Sequence, residues 1–313
     1  MEKLITNPLY CYSMYDNFKN ILPRIKESLD ATDLKKIFDI LSAINEPTLI
    51  TGVGGSSVVG TFLARVLNEK NHIIATFKYP RDLNHMDLSG YKNVIAISYS
   101  GRGVAVESAF QNNLKHYLFS GAGREGAIPL QYVVKEEELS FVSMAGTFIP
   151  LSIILLYYQN DFSLIEEIFD THQDFEVDDS LIYEIMTSNS SSTAATMLES
   201  SLVEGSLAAP VLHEKYNYCH GRTMFNFCYH NVLIYFEEDS PLDKLFQEEL
   251  LPTYRKVFYL KKKYPDSIIN DYYLTYLCLQ LCLAISEKQG KDLSMKSVPE
   301  ISETIYHFQG NIS

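Results

Sequence analysis

TLITGVGGSS, at residues 48–57, is an apolar run that ends in a turn of glycines and serines. The same pattern returns in NVIAISYSGRG at residues 93–103. Each pattern predicts a buried strand that is followed by a Gly/Ser turn and then by a helix. Such turns point backbone N–H groups and hydroxyls into one crevice at the carboxyl ends of parallel strands, where phosphates bind. Two of these turns in one sheet predict a ligand with a phosphate and several hydroxyls, such as a sugar phosphate.

Strands and helices alternate outward from these two turns. Apolar runs predict strands at 48–53, 72–77, 93–99, 116–119 and 130–134, and the patterns between them predict helices at 56–69, 103–114 and 143–158. This alternation predicts an α/β fold, a parallel sheet with helices on both faces in three layers, flavodoxin-like or doubly wound. Ahead of it, an apolar stripe with helical spacing over residues 8–44 predicts helix.

A second and less regular unit follows. Helices are expected at 161–173 and 181–204, and a short helix is expected to start at Pro210 and to end near Cys219. Apolar strands at 232–236 and 256–260, a long helix at 268–287 and an extended loop at 292–299 complete the pattern. The predicted organisation is an N-terminal helical segment 1–45, a first subdomain 46–175 and a second subdomain 176–313 with fewer strands.

Composition limits the classes of partner. The formal net charge is −13 and the pI is about 5.1, which argues against nucleic acid as a partner. The N-terminus lacks the apolar core of a signal peptide. The apolar run at 148–158 contains Pro150 and is too short to cross a bilayer. A soluble cytoplasmic protein without a membrane partner is therefore expected.

The five cysteines predict neither a disulfide framework nor a metal site. Their number is odd and the chain is long. Cys278 and Cys282 lie one helical turn apart in an apolar stretch, as small core residues do. A zinc site could be drawn from four side chains, but their spacing matches no standard motif: Cys219, His220, Cys228 and His230.

The order and spacing of these motifs resemble the sugar isomerase (SIS) family, and in particular the isomerase domain of glucosamine-6-phosphate synthase. Ser98-Tyr99-Ser100-Gly101 looks like the family's S-x-S-G phosphate turn, and Gly54-Gly55-Ser56 looks like its first-strand G-x-S turn. In that domain a catalytic glutamate is followed sixteen residues later by a His-Gly pair. This sequence has Glu204 and, sixteen residues on, His220-Gly221. The segment at 295–298, Met-Lys-Ser-Val, resembles the loop that carries an essential lysine there.

The resemblance covers most of residues 30–300 and implies two SIS-type subdomains, each a parallel sheet flanked by helices. It implies no metal and no organic cofactor, since hydrogen transfer through an enediol needs only protein groups. It also implies that the phosphate site is formed by the residues of the two turns: Gly54, Gly55, Ser56, Ser57, Ser98, Tyr99, Ser100, Gly101, Arg102 and Gly103.

Three catalytic side chains are implied in the same way. Glu204 would shuttle a proton between C1 and C2 of an opened sugar. His220 would open the sugar ring by moving a proton between O5 and O1. In the family this histidine can reach into the neighbouring subunit's site, so at least a homodimer is expected. Lys296 would contact the ring oxygen or hydroxyls of the substrate. The alternatives left open are a helix-surface glutamate, a helix-capping histidine and a solvated loop lysine.

Five positions depart from the family's pattern, among them Asn217, which replaces a glutamate three residues before the histidine. Arg102 and Gly103 replace an acid and a threonine, so a hydroxyl is lost and a guanidinium is offered to the phosphate instead. Ser201 replaces a lysine three residues before the glutamate. Arg222 replaces a proline and is a candidate ligand for a carboxylate or a second phosphate, with a surface salt bridge as the alternative.

The sequence thus predicts a phosphosugar isomerase, or a deglycase that cleaves a sugar–amine phosphate adduct. Dependence on glutamine is not expected, because no glutamine-hydrolysing domain precedes residue 30. The alternative from another class is a non-catalytic sugar-phosphate-binding regulator that acts through a protein partner. A nicotinamide-dependent enzyme is a weaker alternative, because Ser57 stands at the third glycine position of the dinucleotide fingerprint.

Overall fold

The structure is a computed structural model, and it describes residues 4–6, 14–135, 138, 142–229, 231–294 and 297–299. Its contacts divide the chain into unit 1, Met1–Asn160 with Asp292–Ser313, and unit 2, Asp161–Lys291. Unit 1 begins with a short strand, β1 (Leu4–Thr6).

A parallel sheet of five strands forms the centre of unit 1. The strand order is β3-β2-β4-β5-β6, with Leu49 opposite Val94 in the central pair. β3 lies on one side of β2 and β4 lies on the other, so the direction of winding reverses between β2 and β4. This reversal is the switch point of a doubly wound sheet, where ligands bind. The strands are β2 (Thr48–Thr51), β3 (Ala75–Phe77), β4 (Asn93–Ile97), β5 (Lys115–Ser120) and β6 (Ile128–Gln131).

Helices surround this sheet as the alternating pattern predicts. The strands β2 and β4 are buried along their whole length, as parallel strands covered on both faces must be. The helices of unit 1 are α1 (Met14–Lys19), α2 (Ile21–Ala31), α3 (Leu34–Ser42), α4 (Gly55–Lys70), α5 (Val104–Ala109) and α6 (Ala145–Gln159).

Unit 2 repeats the same winding with one strand fewer. Its parallel strand order is β10-β9-β7-β8, so the reversal falls between β7 and β9. The strands are β7 (Ile182–Thr187), β8 (Ala209–Glu214), β9 (Val232–Phe236) and β10 (Lys256–Leu260). The helices are α7 (Phe162–Phe169), α8 (Ser192–Glu204), α9 (Lys215–Tyr218), α10 (Thr223–Tyr229), α11 (Pro241–Leu245) and α12 (Ser267–Lys288). The predicted α/β class with two parallel sheets is confirmed.

Two predicted helices of unit 2 are wrong. The helix expected at 181–204 is instead the strand β7 followed by α8, because Ser188 and Ser191 form a reciprocal capping box between them. Pro210 lies in β8 and not in a helix. β8 is the edge strand of its sheet, where the missing N–H of a proline is tolerated.

The last helix of unit 2, α12, is buried in the core of that unit. α12 is long and apolar enough to cross a membrane, which the sequence analysis overlooked, but 89% of its most apolar window is buried inside the protein. Cys278 and Cys282 are both fully buried in it, as predicted. The carboxylate of Asp271 accepts the backbone N–H groups of Thr193 (3.1 Å) and Ala194 (3.0 Å), which fastens the start of α8.

The tail after α12 returns to unit 1. Strand β11 (Ser297–Pro299) pairs antiparallel with β1, with Val298 opposite Ile5. The N–H of Val142 also donates to the carbonyl of Leu293 over 3.2 Å. The division therefore differs from the predicted subdomains 46–175 and 176–313, because the boundary lies at residue 160 and the tail leaves the second unit. The helix expected at the end of the tail lies outside the described residues.

Candidate functional site

The turn after β2 brings the start of α4 to the switch point of unit 1. Gly54 precedes the helix with φ of 55°, a conformation that favours glycine. Gly55 is the first helical residue, and a Cβ there would lie 2.4 Å from Oγ1 of Thr147 in the first turn of α6. The two glycines therefore let α4 start close against α6, with its first backbone N–H groups at the crevice.

The turn after β4 lies on the other side of the switch point. The carbonyl of Tyr99 accepts the N–H of Gly121 over 3.2 Å, which holds this turn against the end of β5. A Cβ on Gly146 would lie 3.5 Å from Cε2 of Tyr99. The first turn of α6 thus contacts both Gly/Ser turns, one through Thr147 and the other through Gly146.

Two of the four serine hydroxyls in these turns hydrogen-bond within their own turn, and two do not. Ser57 donates to the carbonyl of Gly54 over 2.7 Å, and Ser98 donates to the carbonyl of Arg102 over 2.8 Å. These two hydroxyls hold their own turns, so Ser98 is a less direct phosphate donor than the sequence suggests. The hydroxyls of Ser56 and Ser100 have no hydrogen-bond partner within the described chain, so they remain available to a ligand.

Arg102 supplies a positive charge beside the second turn. Its side chain is exposed, and its guanidinium makes no ion pair with any residue that the structure describes. A guanidinium presents several N–H donors in a plane that matches phosphate oxygens. Arg102 is therefore placed to donate to an anion held at the two turns.

Glu138 caps the N-terminus of α6, the helix whose first turn contacts both Gly/Ser turns. Its carboxylate accepts the backbone N–H groups of Met144 (3.0 Å), Ala145 (3.0 Å) and Gly146 (2.6 Å) at the start of α6. Burial raises the pKa of Glu138, and these N–H donors oppose the shift. The first amides of α6 are therefore satisfied within the chain and are not offered to a ligand. The sequence analysis missed this residue, since its partners lie six to eight positions away in an irregular segment.

The two candidate acid–base residues lie in unit 2. Glu204 is the last residue of α8, half-buried, and its carboxylate accepts the hydroxyl of Ser200 over 2.9 Å. His220 is exposed in the turn after α9, where its N–H donates to the carbonyl of Asn217 over 3.1 Å. Gly221 follows with φ of 88°, as a residue after a helix end often does.

Glu204 and His220 are not brought together within one chain. α8 ends at the amino edge of the unit 2 sheet and α9 begins at its carboxyl edge, with β8 running between them. Five residue steps of that strand span about 17 Å. Within unit 2, the two side chains therefore lie at opposite edges of the sheet.

The remaining candidates have different surroundings. Ser201 is buried and donates to Sδ of Met197 (3.8 Å), so its hydroxyl does not face the solvent, and its role as a possible site residue stays a prediction. Arg222 donates to Nδ1 of His213 (3.4 Å) and to the carbonyl of Leu212 (3.5 Å), not to a surface carboxylate. Lys296 lies outside the described residues and stays a prediction.

No metal centre forms among the residues that the structure describes. Cys219 and Cys228 are exposed, and no group of three or more potential ligands is close enough to hold an ion there. His230, the fourth candidate ligand, lies outside the described residues.

The switch point of unit 2 carries a polar cluster that the sequence analysis missed. Ser188 and Ser190, in the turn after β7, both donate to the carboxylate of Glu238, which follows β9. Glu238 also pairs with the buried Nζ of Lys215 (3.2 Å), which in turn lies 2.8 Å from Asp243. The serine run at 188–192 was the available signal, and it falls in the segment that was predicted as one helix.

Solved structures share this architecture, although no model of a known protein family and no curated protein matches the sequence. The tagatose-6-phosphate ketose/aldose isomerase of Escherichia coli is 13% identical, with a TM-score of 0.69 over 90% of this chain and 94% of that chain. The C-terminal domain of glucosamine-fructose-6-phosphate aminotransferase from Francisella tularensis is 12% identical, with a TM-score of 0.60 over 90% of this chain and 96% of that chain.

The chain has the SIS fold. A glucosamine-6-phosphate deaminase from Thermotoga maritima also matches, at 15% identity and a TM-score of 0.61 over 88% of this chain and 96% of that chain. At such identities the likeness establishes the SIS fold alone, and the predicted SIS-type architecture is confirmed.

Proposed function

We propose that this chain binds a sugar phosphate at the two Gly/Ser turns of unit 1 and isomerises it by proton transfer. The reaction is an aldose–ketose isomerisation or the opening of an amino-sugar phosphate adduct by a deglycase. The observation that carries the proposal is the pair of turns at one switch point, with Ser56, Ser100 and Arg102 available to an anion. The similar solved structures support it, since they include a ketose/aldose isomerase, a deaminase and an aminotransferase of phosphorylated sugars.

In the proposed reaction Glu204 is the group that moves the proton. Its carboxylate takes the proton from C2 of an opened aldose, the C2–H electron pair forms the C1=C2 double bond, and the C1 carbonyl pair moves to O1, which gives a cis-enediolate. The O2–H proton passes to O1, the C2=O2 carbonyl forms, and the electron pair of the C1=C2 bond takes the proton back from the carboxyl at C1. One carboxylate suffices because both carbons present the same face to it. The chain's own groups complete this chemistry without a cofactor.

We further propose that the working form is a homodimer in which His220 serves the partner chain. The separation of Glu204 and His220 within unit 2 supports this, and so does the surface around His220. Four large apolar side chains there are more than half exposed: Tyr216, Met224, Phe227 and Tyr229. A second copy of the chain would cover them. We place this activity in the cytoplasm, because charged sugar phosphates do not cross membranes unaided.

The dimer is tested by sedimentation of Phe227→Asp. Burial of a new carboxylate at the interface should convert the dimer into a folded monomer. Ile74→Asp is the matched control, because Ile74 is an equally exposed apolar residue of unit 1. A wild-type protein that sediments as a monomer at all concentrations would contradict the homodimer.

The phosphate site is tested by thermal shift against hexose, pentose and amino-sugar phosphates, each paired with its unphosphorylated form. Stabilisation should follow the phosphorylated compounds only, by mass action. Ser100→Ala and Arg102→Ala should each weaken binding about 10- to 100-fold, the value of a hydrogen bond to a charged group. Lys92→Ala is the control, since Lys92 is an exposed cation at the other end of β4. No stabilisation by any phosphate would refute the site.

The catalytic assignment is tested with Glu204→Gln on the substrate that the thermal shift identifies. Turnover should fall about 100- to 10,000-fold, because the amide cannot accept the proton. Glu199→Gln is the matched control, as Glu199 is a half-buried glutamate of the same helix. Full turnover in Glu204→Gln would remove Glu204 from the mechanism.

A non-catalytic sugar-phosphate sensor is the second candidate function. It is favoured by Ser201, since the resemblance places a lysine at that position and the structure buries the serine in the core. Tight binding of a sugar phosphate without turnover of any member of the panel would select the sensor.

A further inference from the structure

A buried carboxylate lies beneath the turn that carries His220. Glu184 on β7 has no solvent exposure, and polar groups of four side chains lie around its carboxylate. Asn231 Nδ2 (2.8 Å) and Tyr218 OH (3.2 Å) donate to it, while His213 Nε2 (2.9 Å) and Tyr254 OH (3.1 Å) lie beside it, and Tyr254 also contacts the hydroxyl of Tyr218. Burial alone would raise the pKa of Glu184, but its contacts with His213 and Asn231 hold it below its usual value.

Two routes connect this carboxylate to the turn. The first is direct, because Tyr218 is the last residue of α9 and stands two positions before His220. The second runs through His213, whose Nδ1 accepts Arg222 Nη1 over 3.4 Å, two positions after His220. The N–H of Arg222 then donates to the carbonyl of Tyr218 over 3.1 Å and closes the turn. Both ends of the His220 turn are thus tied to one buried charge.

The tautomer of His213 follows from these contacts. Nδ1 accepts from a guanidinium that is always protonated, so the ring proton is on Nε2 and faces the carboxylate. A carboxylate that fixes an imidazole tautomer, and through it a further group, is a common arrangement around functional histidines and metal ligands. Arg222 is therefore occupied as a link in this chain of hydrogen bonds.

We propose that Glu184 is a positioning residue for His220, acting through Tyr218 and through His213 and Arg222. The inference rests on the proposed function for the role of His220. A buried carboxylate with polar partners does not by itself stabilise a protein more than packed apolar side chains do. The carboxylate instead orients the His220 turn, because it fixes the positions of polar side chains at both ends of that turn.

The experiment compares Glu184→Gln with Asp271→Asn, since Asp271 is a fully buried carboxylate of the same unit that accepts backbone N–H groups at the start of α8. The first readout is hydrogen exchange of the His220 and Arg222 amides. Exchange should rise about tenfold or more in Glu184→Gln, relative to the amides of β9, and stay at the wild-type ratio in Asp271→Asn. Tyr218→Phe removes only the direct route and should give a smaller rise, which keeps the test available if Glu184→Gln does not fold.

The second readout is the split of the kinetic constants. We expect kcat to fall about 10- to 100-fold in Glu184→Gln, while binding of inorganic phosphate to unit 1 stays within twofold of wild type. Unchanged exchange at His220 and Arg222 in the folded variants would overturn the inference. Raised exchange with unchanged turnover would support the anchoring and instead remove His220 from the proposed mechanism.

Discussion

The contact between Gly55 and Thr147 gives a stability prediction whose sign depends on one atom. A Cβ at position 55 would lie 2.4 Å from Oγ1 of Thr147, and its next neighbour, Cβ of Thr147, would lie at 3.6 Å. Gly55→Ala in the wild type should therefore cost about 1–3 kcal/mol, the usual penalty of overpacking. The melting temperature should fall by about 2–12 °C.

Removal of Oγ1 should reverse this effect. In a Thr147→Ala background the nearest remaining atom is at an ordinary contact distance, so the added methyl fits. Alanine also favours a helix over glycine by up to about 1 kcal/mol. Gly55→Ala should then be neutral or stabilising, although Thr147→Ala alone loses the hydrogen bond from Thr147 to the carbonyl of Ser143 (3.3 Å). The coupling in this double-mutant cycle should be about 1–3 kcal/mol.

The assay is thermal and urea denaturation of the four proteins, with the unfolding midpoint of unit 1 followed by hydrogen exchange at β2. An equal cost of Gly55→Ala in both backgrounds would refute the steric reasoning. So would a Gly55→Ala protein as stable as the wild type. Either result would mean that α6 can withdraw from α4 without loss.

Two further predictions follow from the titratable groups. Burial would raise the pKa values of Glu238 and Asp243, but hydrogen bonds from the serines and Lys215 hold both below their usual values. The stability that these two carboxylates contribute is present above their unfolded pKa values and is lost as the pH falls below about 4. Urea midpoints measured from pH 8 to 3 test this. In Asp243→Asn, the loss of stability at the acid end of that range should be smaller. Burial raises the pKa of Cys282 to about 12, so iodoacetamide at pH 8 should modify the exposed Cys219 and leave Cys282 unmodified in the native protein. Peptide mass spectrometry reads the two sites separately, and equal labelling would contradict the buried position of α12.

The sequence predicts best where the fold is decided locally. The turns after β2 and β4 follow directly from apolar runs that end in glycine and serine, and both the strands and α4 lie where they were expected. The strand β7 was missed because Glu184 interrupts its apolar pattern, and a buried carboxylate has no signature of its own in a sequence. Pro210 misled for a similar reason, since only the sheet order shows that β8 is an edge strand.

The sequence indicated which residues line the candidate site better than it indicated the hydrogen bonds that those residues make. That Ser98 is engaged and Ser100 is available depends on which carbonyl lies near each hydroxyl, which the spacing does not give. The carboxylate of Glu138 and the cluster around Lys215 join residues that are distant in sequence or lie in irregular segments. Such contacts are set by tertiary packing, so no local sequence pattern predicts them.

At the switch point of unit 2, the carboxylate of Glu238 acts as a ligand that belongs to the chain itself. Because the carboxylate is part of the chain, its effective concentration at the hydroxyls of Ser188 and Ser190 is far above that of any dissolved anion. The Glu238 carboxylate is thus a fixed partner of these hydroxyls in unit 2, while the site proposed in unit 1 would exchange its occupant with the solution. A titration with phosphate should therefore end at one equivalent per chain, although the polypeptide winds two sheets in the same order. Under the proposed function, one half of the duplicated architecture would respond to metabolite levels, and the other half would keep its own carboxylate in place regardless of them.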